Sequence, residues 1–290
     1  MKTIYFDLIN STNTYLKENY ESLDNLTIVR AEHQTNGKGR LGRTWQDGDD
    51  LLFSILIKEK IDIPTDYSLL IAASLLKSLK QYNPMVKWPN DIMINDKKVS
   101  GILLEAITKE KIECVIIGVG INVNTNTFAE ELKNKATSLY QVSGEVIDKE
   151  KLFNLVTTTF INDYNDYVNE NSNYIELIKE HFYLQDKIVS FNYQGKEQKG
   201  KVIGLSNKGE IIIDTSKQIL NISTGEITLD SVYKKGDSNW ISFFLFCLII
   251  PVHYWYNDDV ANIDIMKIIK EYQRIINWSN PQSIISWIIK

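Results

Sequence analysis

Apolar residues in the first 183 positions alternate between helical and strand-like spacing. Residues 51–57 (LLFSILI) form an apolar run of strand length, and residues 65–82 carry a helical stripe with Thr65 as N-cap. Two further apolar runs, at residues 101–106 and 113–123, predict buried strands. This alternation predicts an α/β (α+β) fold with a mixed sheet flanked by helices.

The pattern changes in the second half of the chain. Residues 149–184 return to helical spacing and predict two helices with a break near residues 171–173. Residues 187–227 contain short β-rich runs separated by glycine turns, which predict a small β-barrel. We therefore expect a domain boundary near Leu184, with one domain at 1–184 and a second at 185–232.

The remaining tail, residues 233–290, is apolar and rich in tryptophan. Residues 240–256 (WISFFLFCLIIPVHYWY) contain no Asp, Glu, Lys or Arg. A membrane span needs about 20 apolar residues, and Pro251 and His253 interrupt this run. We expect a buried or partner-bound segment, or translated sequence not native to the fold, in preference to a membrane span or anchor.

Composition excludes several classes of protein. The 290 residues include 32 Lys and Arg against 37 Asp and Glu, and the net charge of −5 excludes a global cationic field for nucleic acid. The two cysteines, Cys114 and Cys247, are too few for a disulfide framework. Together with only three histidines, they provide few ligands for a zinc site. The first 30 residues lack the apolar stretch of a secretory signal, so a cytoplasmic location is expected.

A glycine-rich basic segment, residues 34–45 (QTNGKGRLGRTW), is the strongest candidate for ligand binding. Three glycines interleave with the cations Lys38, Arg40 and Arg43. Glycines bring backbone N–H groups close to a ligand, and guanidinium groups bind phosphate and carboxylate oxygens. The segment matches neither a Walker A loop nor a dinucleotide-binding GxGxxG. A solvated basic loop is the structural alternative.

Two later turns carry further candidate groups. The KWPND turn presents a cation, an amide and a carboxylate from Lys87, Asn90 and Asp91. In the DKKVSGILLE segment, Lys98 stands at the mouth of a predicted strand, three residues before a glycine. Taken singly, each also fits an ordinary loop or hairpin with solvated side chains.

A pair of glycines lies within the last apolar run of the first domain. The sequence at residues 118–122 is GVGIN. Glycines inside a strand mark a bulge or a close approach to the backbone. That approach is made either by a neighbouring strand or by a ligand lying over the backbone.

The order and spacing of these blocks resemble the biotin protein ligases, also called biotin–[acetyl-CoA-carboxylase] ligases. The resemblance begins at Ser11-Thr12-Asn13 and continues through the glycine-rich segment, the KWPND turn, the DKKVSGILLE segment and GVGIN. It covers roughly residues 1–232. It implies a class II synthetase-like biotin/lipoate ligase catalytic domain at 1–184, followed by an SH3-like β-barrel at 185–232.

The resemblance also implies an activity and its partners. Biotin and MgATP would form biotinyl-5′-AMP and pyrophosphate, and a lysine of a biotin carboxyl carrier domain would then displace AMP. The first step brings two anions together, so its site should be cationic and dry. It needs no general base, because a carboxylic acid with a pKa of ~4 is ionised at pH 7. ATP, Mg²⁺ and biotin are the small molecules expected.

Residue roles follow from the resemblance by position. The biotin-binding residues would be Ser11, Thr12, Asn13, Gln34, Lys38, Gly39, Arg40 and Lys98. The residues on the ATP and adenylate side would be Arg43, Trp45, Lys87, Asn90 and Asn122. The catalytic residues would be Lys98, Arg40 and Asp91, with Asp91 acting on the acceptor lysine or holding its own turn. No protein metal site is expected.

The chain departs from the family pattern in places. Lys38 stands where arginine is commoner, which keeps the charge and loses a bidentate donor. Ser11 comes too early to leave room for the DNA-binding domain of bifunctional members, so DNA binding is not expected. Pairing into a homodimer is expected only by analogy.

Three alternatives remain open from the sequence. They are a lipoate–protein ligase, a non-catalytic biotin or adenylate sensor, and a variant attached to a membrane through the tail. The KGRLGRTW and KWPND blocks favour biotin over lipoate, and the presence of Lys98 with a complete loop argues against a sensor.

Overall fold

A seven-stranded mixed sheet forms the centre of the computed structural model, which describes residues 2–61 and 65–229. Its strands are β1 (Thr3–Ile9), β2 (Ile28–Gln34), β3 (Leu51–Ile57), β4 (Met85–Lys87), β5 (Asp91–Ile94), β6 (Lys97–Thr108) and β7 (Ile112–Ile121). They lie in the order β1-β2-β3-β7-β6-β5-β4. β1 and β2 run parallel, and every other pair is antiparallel. The tail at 233–290, with its apolar run at 240–256, lies outside the described residues.

Helices cover both faces of this sheet. They are α1 (Thr12–Asn19), α2 (Asp66–Ser78), α3 (Leu139–Ser143), α4 (Lys149–Val168) and α5 (Tyr174–Glu180). Phe53 of β3 packs in the main core with α2 and α4, whereas Leu56 packs on the other face with Leu16 of α1. Every residue of β3 is therefore buried, which explains its unbroken apolar pattern. Within the described ranges, no helix is long and apolar enough to cross a bilayer.

A second sheet follows the helices. Its strands are β8 (Ile188–Tyr193), β9 (Lys196–Leu205), β10 (Ile211–Asp214), β11 (Ile219–Ile222) and β12 (Ile227–Leu229). All are antiparallel, in the order β11-β10-β9-β8-β12. The mixed α/β architecture followed by a small β unit is confirmed. The division near Leu184 stays a prediction, because the hydrophobic core continues across it.

Most predicted elements match the structure, with small differences at their ends. The break between α4 and α5 falls at the predicted place. The predicted helix at 65–82 is shorter: α2 ends at Ser78, and a separate 3₁₀ turn covers Lys80–Tyr82. The GVGIN glycines do not form a bulge, since β7 pairs with β3 in unbroken register from Val115 to Ile121.

The second sheet packs onto α2 and the segment after β4 through the turn between β9 and β10. The indole Nε1 of Trp88 donates to the carbonyl oxygen of Gly209 at 3.0 Å. A Cβ added at Gly209 would lie 2.3 Å from Cδ1 of Leu69, a buried residue of α2. Glycine is therefore required here both for its φ of +73° and for close contact between the layers.

A pair of glycine substitutions separates these two requirements. Gly195 has a similar φ of +75°, and no described atom lies within 4 Å of a Cβ placed there. We expect Gly195→Ala to lower the free energy of unfolding by about 1 kcal/mol, from backbone strain alone. Gly209→Ala should lower the free energy of unfolding by about 1–3 kcal/mol more than Gly195→Ala does, because the added methyl group overpacks the contact with α2. Urea denaturation of both variants measures the difference, and equal losses would contradict the packing argument.

Candidate functional site

A narrow cleft opens on the central sheet, beside the start of α1 and the glycine-rich segment. Its floor is made by backbone at Gly101, Gly118 and Gly120. Residues predicted from the sequence to bind ligand contribute much of its wall: Ser11, Thr12, Asn13, Gln34, Lys38, Gly39, Arg40, Trp45, Asn90 and Lys98. The fold thus brings together residues from four separate segments of the chain.

Hydrogen bonds fix the end of the cleft lined by the uncharged residues Ser11, Thr12, Asn13 and Gln34, which is its neutral end. The backbone N–H and the hydroxyl of Thr12 both donate to Oε1 of Gln34, at 2.7 and 3.1 Å. Because this oxygen is occupied, the amide N–H groups of Gln34 remain as donors for a ligand. The hydroxyl of Ser11 is 1% exposed and has no hydrogen-bond partner among the described residues. A buried hydroxyl without a partner costs free energy, and a ligand acceptor atom placed at this end would remove that cost.

Two residues that the sequence reasoning missed support this end from behind. The Ser54 hydroxyl donates to Oδ1 of Asn13 at 2.5 Å and lies 2.7 Å from the Thr12 hydroxyl. Nδ2 of Asn13 donates to Glu105 at 2.9 Å. Asn13 therefore uses both ends of its amide within the protein. The sequence does contain an indication of both residues, since Ser54 and Glu105 are the polar residues in the otherwise apolar runs LLFSILI and GILLEA.

The strand glycines make room for side chains of the protein itself. A Cβ at Gly118 would lie 2.3 Å from Oδ1 of Asn13, and one at Gly120 would lie 2.7 Å from the indole of Trp45. The sequence had left a neighbouring strand or a ligand as the alternatives. In the structure the close approach is made by Asn13 and Trp45, which line the same cleft.

The glycine-rich segment folds as a small hairpin above the cleft. The N–H of Gly39 donates to the carbonyl of Arg43 at 2.7 Å, and that of Trp45 donates to Gly37 at 2.9 Å. Leu41, at the tip, is 71% exposed and has a φ of +53°. A branched apolar residue in left-handed backbone and in solvent is strained, a condition found at ligand clamps and switch regions.

Arg40 is held in place without losing its charge. Its guanidinium donates to Oδ1 of Asn90 at 3.0 Å and to the carbonyl of Gly225 at 2.9 Å. Asn90 presents that oxygen because its Nδ2 donates to the carbonyl of Ile102. Both partners of Arg40 are neutral oxygens. The cation is therefore positioned in advance and stays available to an anion.

Lys98 lies near the opposite side of the floor. Its Nζ is 2.6 Å from a carboxylate oxygen of Asp91 and 5.7 Å from the ring centroid of Trp45. The ion pair and the aromatic face fix the ammonium beside the cleft. An arriving anion can share this cation with Asp91 or replace the carboxylate as its partner.

Four predicted site residues lie outside the cleft wall: Arg43, Lys87, Asp91 and Asn122. Arg43 forms an ion pair with Glu226 of the second sheet. Burial lowers the pKa of the Lys87 ammonium, although the neighbouring Asp91 opposes that shift. Asn122 is 5% exposed and donates to the carbonyl of Thr137, so it ties a loop to the sheet.

Asp50 is another residue that the sequence reasoning did not identify. Its Oδ1 accepts from the Thr125 hydroxyl at 2.7 Å and from the N–H of Val123 at 3.2 Å, which joins the start of β3 to the segment after β7. Burial raises the pKa of Asp50 to about 6, against the opposing effect of these two hydrogen bonds. Nearby Asp49 and Asp47 add to the increase in pKa.

Fold and site together define an α/β protein with a glycine-floored cleft that has cations at one end and neutral hydrogen-bonding groups at the other. The sequence model of the biotin/lipoate A/B protein ligase family matches residues 5–122. That range contains every residue described above in the cleft wall.

Individual relatives agree with the family match. The bifunctional ligase/repressor BirA of Bacillus subtilis is 33% identical over 244 residues, which cover 78% of this chain and 73% of that protein. The biotin–[acetyl-CoA-carboxylase] ligase of Mycobacterium tuberculosis is 30% identical over 142 residues, covering 45% of this chain and 50% of that protein. A biotin protein ligase from Aquifex aeolicus, solved with biotin and ATP, superposes with a TM-score of 0.70 at 31% identity and covers 79% of this chain and 98% of its own. The chain belongs to the biotin protein ligases of the biotin/lipoate A/B protein ligase family.

The raised pKa of Asp50 predicts that the free energy of unfolding depends on pH. Its pKa is higher in the folded state than the ordinary value of 3.8, so between these values the folded protein holds a proton that the unfolded chain releases. The contribution of Asp50 to stability is therefore greatest below about pH 4 and declines as the pH rises through 6. Relative to Asp50→Asn, the protein should lose about 2–3 kcal/mol of unfolding free energy between pH 4 and 7. Urea denaturation across this range measures it, and parallel stability curves would contradict the assignment.

Proposed function

We propose that this chain is an ATP-dependent biotin–protein ligase, which activates biotin as biotinyl-5′-AMP and transfers it to a lysine of a biotin carboxyl carrier domain. The observation that carries the proposal is the convergence of Lys38, Arg40 and Lys98 on one cleft. Among its described lining residues there is no Asp or Glu. Two of the relatives named above are biotin ligases, one of them solved with biotin and ATP.

The neutral end of the cleft supports biotin as the acid. Biotin carries a ureido ring, whose carbonyl oxygen accepts hydrogen bonds and whose N–H groups donate them. The unpartnered hydroxyl of Ser11 and the amide donors of Gln34 suit the carbonyl. The dithiolane ring of lipoate has no comparable acceptor and would leave the Ser11 hydroxyl buried without a partner, at a cost of about 1–3 kcal/mol.

The first step joins two anions. A carboxylate oxygen of biotin attacks the α-phosphorus of ATP, the new O–P bond forms, and pyrophosphate leaves with the electrons of the broken P–O bond. The barrier is raised by repulsion between the reactants, which fixed cations reduce. Arg40, bound only to neutral oxygens, supplies that charge without first reorganising, and Lys98 supplies more of it by sharing its ammonium between Asp91 and the reactants.

The residues present fit Mg²⁺ brought by ATP more closely than a resident ion. Mg²⁺ keeps several waters and binds through one or two carboxylates together with substrate phosphates. Asp91 is a carboxylate beside the cleft, and the described residues contain no group of three metal-binding side chains. Asp91 would hold the ion, which would supply positive charge to the phosphates.

The second step requires the acceptor amine to reach the mixed anhydride as a neutral nucleophile, since a lysine has an ordinary pKa of ~10.4. The sequence left Asp91 as a base or as a structural residue. Its ion pair with Lys98 supports a positioning role, in which Asp91 orients the ammonium that neutralises the adenylate.

We also propose a cytoplasmic location and pairing into a homodimer. Cys114 is a buried free thiol, consistent with a reducing compartment. β1 is an edge strand on which Tyr5 and Leu8 are exposed, so the central sheet offers a surface for a second copy. Sedimentation of the full chain tests the pairing, and a monomer at micromolar concentration would contradict it.

Incubation with labelled biotin, ATP and Mg²⁺ tests the central proposal. We expect biotinyl-AMP and pyrophosphate, followed by transfer of the label when a carrier domain is added. Lipoate in place of biotin is the control for the related activity. Transfer of lipoate alone would favour a lipoate ligase, and binding of biotin without pyrophosphate release would favour a sensor.

Substitution of Lys98 tests the electrostatic argument. Lys98→Ala removes a charge-assisted contact of about 1.5–3 kcal/mol, so adenylate formation should slow by roughly 10- to 100-fold. Lys97→Ala is the matched control, because Nζ of the neighbouring lysine contacts the carbonyl of Lys133 at the surface. Pyrophosphate release at a near-normal rate in a folded Lys98→Ala protein would refute the role.

A further inference from the structure

Lys98 lies at an irregular point of β6, where regular strand pairing does not continue on both sides. β6 pairs with β7 only from Ser100 onward. On the other side, the pairing with β5 shifts in register between Ile92 and Met93, and Met93 is the residue opposite Lys98. Because a lysine side chain is long and flexible, the position of its ammonium depends on a fixed backbone. The backbone of Lys98 therefore needs another partner where β7 has ended.

A segment of the loop after β7, residues 135–137, supplies that partner. The N–H of Lys98 donates to the carbonyl of Lys135 at 2.8 Å, and the carbonyl of Lys98 accepts from the N–H of Thr137 at 2.9 Å. Lys98 and Ala136 thus form a parallel bridge. The loop segment takes the place of a strand beside Lys98, although it belongs to no strand itself.

Asn122, the first residue after β7, ties this loop segment to the sheet. Its Nδ2 donates to the carbonyl of Thr137 at 2.9 Å and lies 3.5 Å from the carbonyl of Lys98. Its backbone N–H donates to the carbonyl of Val99 at 2.8 Å, and its carbonyl accepts from the N–H of Leu139 at 3.0 Å. One buried residue therefore binds the bridge that holds Lys98 on both of its sides.

The amide of Asn122 serves the protein rather than the cleft. The resemblance to the family implies a place for Asn122 on the adenylate side, where its amide would contact the nucleotide directly. In the structure, Asn122 is absent from the described cleft wall, and its amide nitrogen faces two main-chain carbonyls. A donor bound to main-chain carbonyls is not free to bind a nucleotide.

Resting on the proposed function, we propose that Asn122 is a positioning residue for Lys98. It holds residues 135–137 beside Lys98, and these residues fix the backbone from which the ammonium reaches the cleft. The ammonium then lies where the charges of the carboxylate and the α-phosphate must be neutralised. Asn122 touches neither reactant in this assignment, and its effect on the reaction passes through Lys98.

Two asparagines that follow β7 allow a matched comparison. Asn124 also ties a loop through its amide, since its Nδ2 and Oδ1 bind the carbonyl and the N–H of Ile147. In the full-length chain, we expect Asn122→Ala to slow formation of biotinyl-AMP by about three- to tenfold, because the ammonium is misplaced but still present. Its KM for ATP should not change. Asn124→Ala should release pyrophosphate at the normal rate.

A double substitution tests whether the effect passes through Lys98. In a Lys98→Ala protein, the further change Asn122→Ala should leave the residual rate of pyrophosphate release unaltered, because the group that Asn122 positions is gone. Losses that multiply as independent effects would overturn the proposal.

Other outcomes decide against the proposal in distinct ways. A raised KM for ATP at a normal kcat in Asn122→Ala would assign the amide to the nucleotide. Equal slowing in Asn124→Ala would mean a general loosening of the segment after β7, and a normal rate in Asn122→Ala would remove the role outright. If Asn122→Ala does not fold, Asn122→Leu keeps the branched shape without the donor and carries the same expectations. Failure of the unsubstituted protein to form biotinyl-AMP would instead refute the proposed function.

Discussion

Repulsion between like charges governs the arrangement of this molecule. The proposed reaction requires cations to converge on one cleft that accepts two anions, and in the empty protein these cations are best held without being neutralised. Arg40 meets this constraint by bonding to the amide oxygen of Asn90 and the carbonyl of Gly225. Lys98 is held differently, by an ion pair with the carboxylate of Asp91, which an incoming anion can supplement or displace. Neutral oxygens thus position the charge of Arg40, and an ion pair positions that of Lys98.

That requirement links the second sheet to the cleft. Gly225 contributes the oxygen that orients Arg40, and Glu226 pairs with Arg43 of the same hairpin. The sheet is in turn held against α2 by the close packing at Gly209. Contacts between the sheets therefore reach the cleft through two cations of the glycine-rich hairpin.

At the neutral end of the cleft, hydrogen bonds rather than charges fix the side chains. Ser54 and Glu105 hold Asn13, and Gln34 is oriented by Thr12, so the polar groups behind the surface are paired. The Ser11 hydroxyl faces the cleft without a partner in the described part of the chain. Under the proposed function, recognition of biotin's polar ring is in this way separated from recognition of its charge.

Local patterns were enough to predict the alternation of helices and strands, the bounds of β3 and the break between α4 and α5, because these depend on the spacing of apolar residues within short segments. The glycine-rich loop and Lys98 also stood out by composition. Only the tertiary structure decided what each group contacts. Asn13 is hydrogen-bonded to Glu105, and the strand glycines accommodate the side chains of Asn13 and Trp45. Gly225 orients Arg40 across 185 residues of chain. Such pairings arise when distant segments pack together, and no short-range pattern records them.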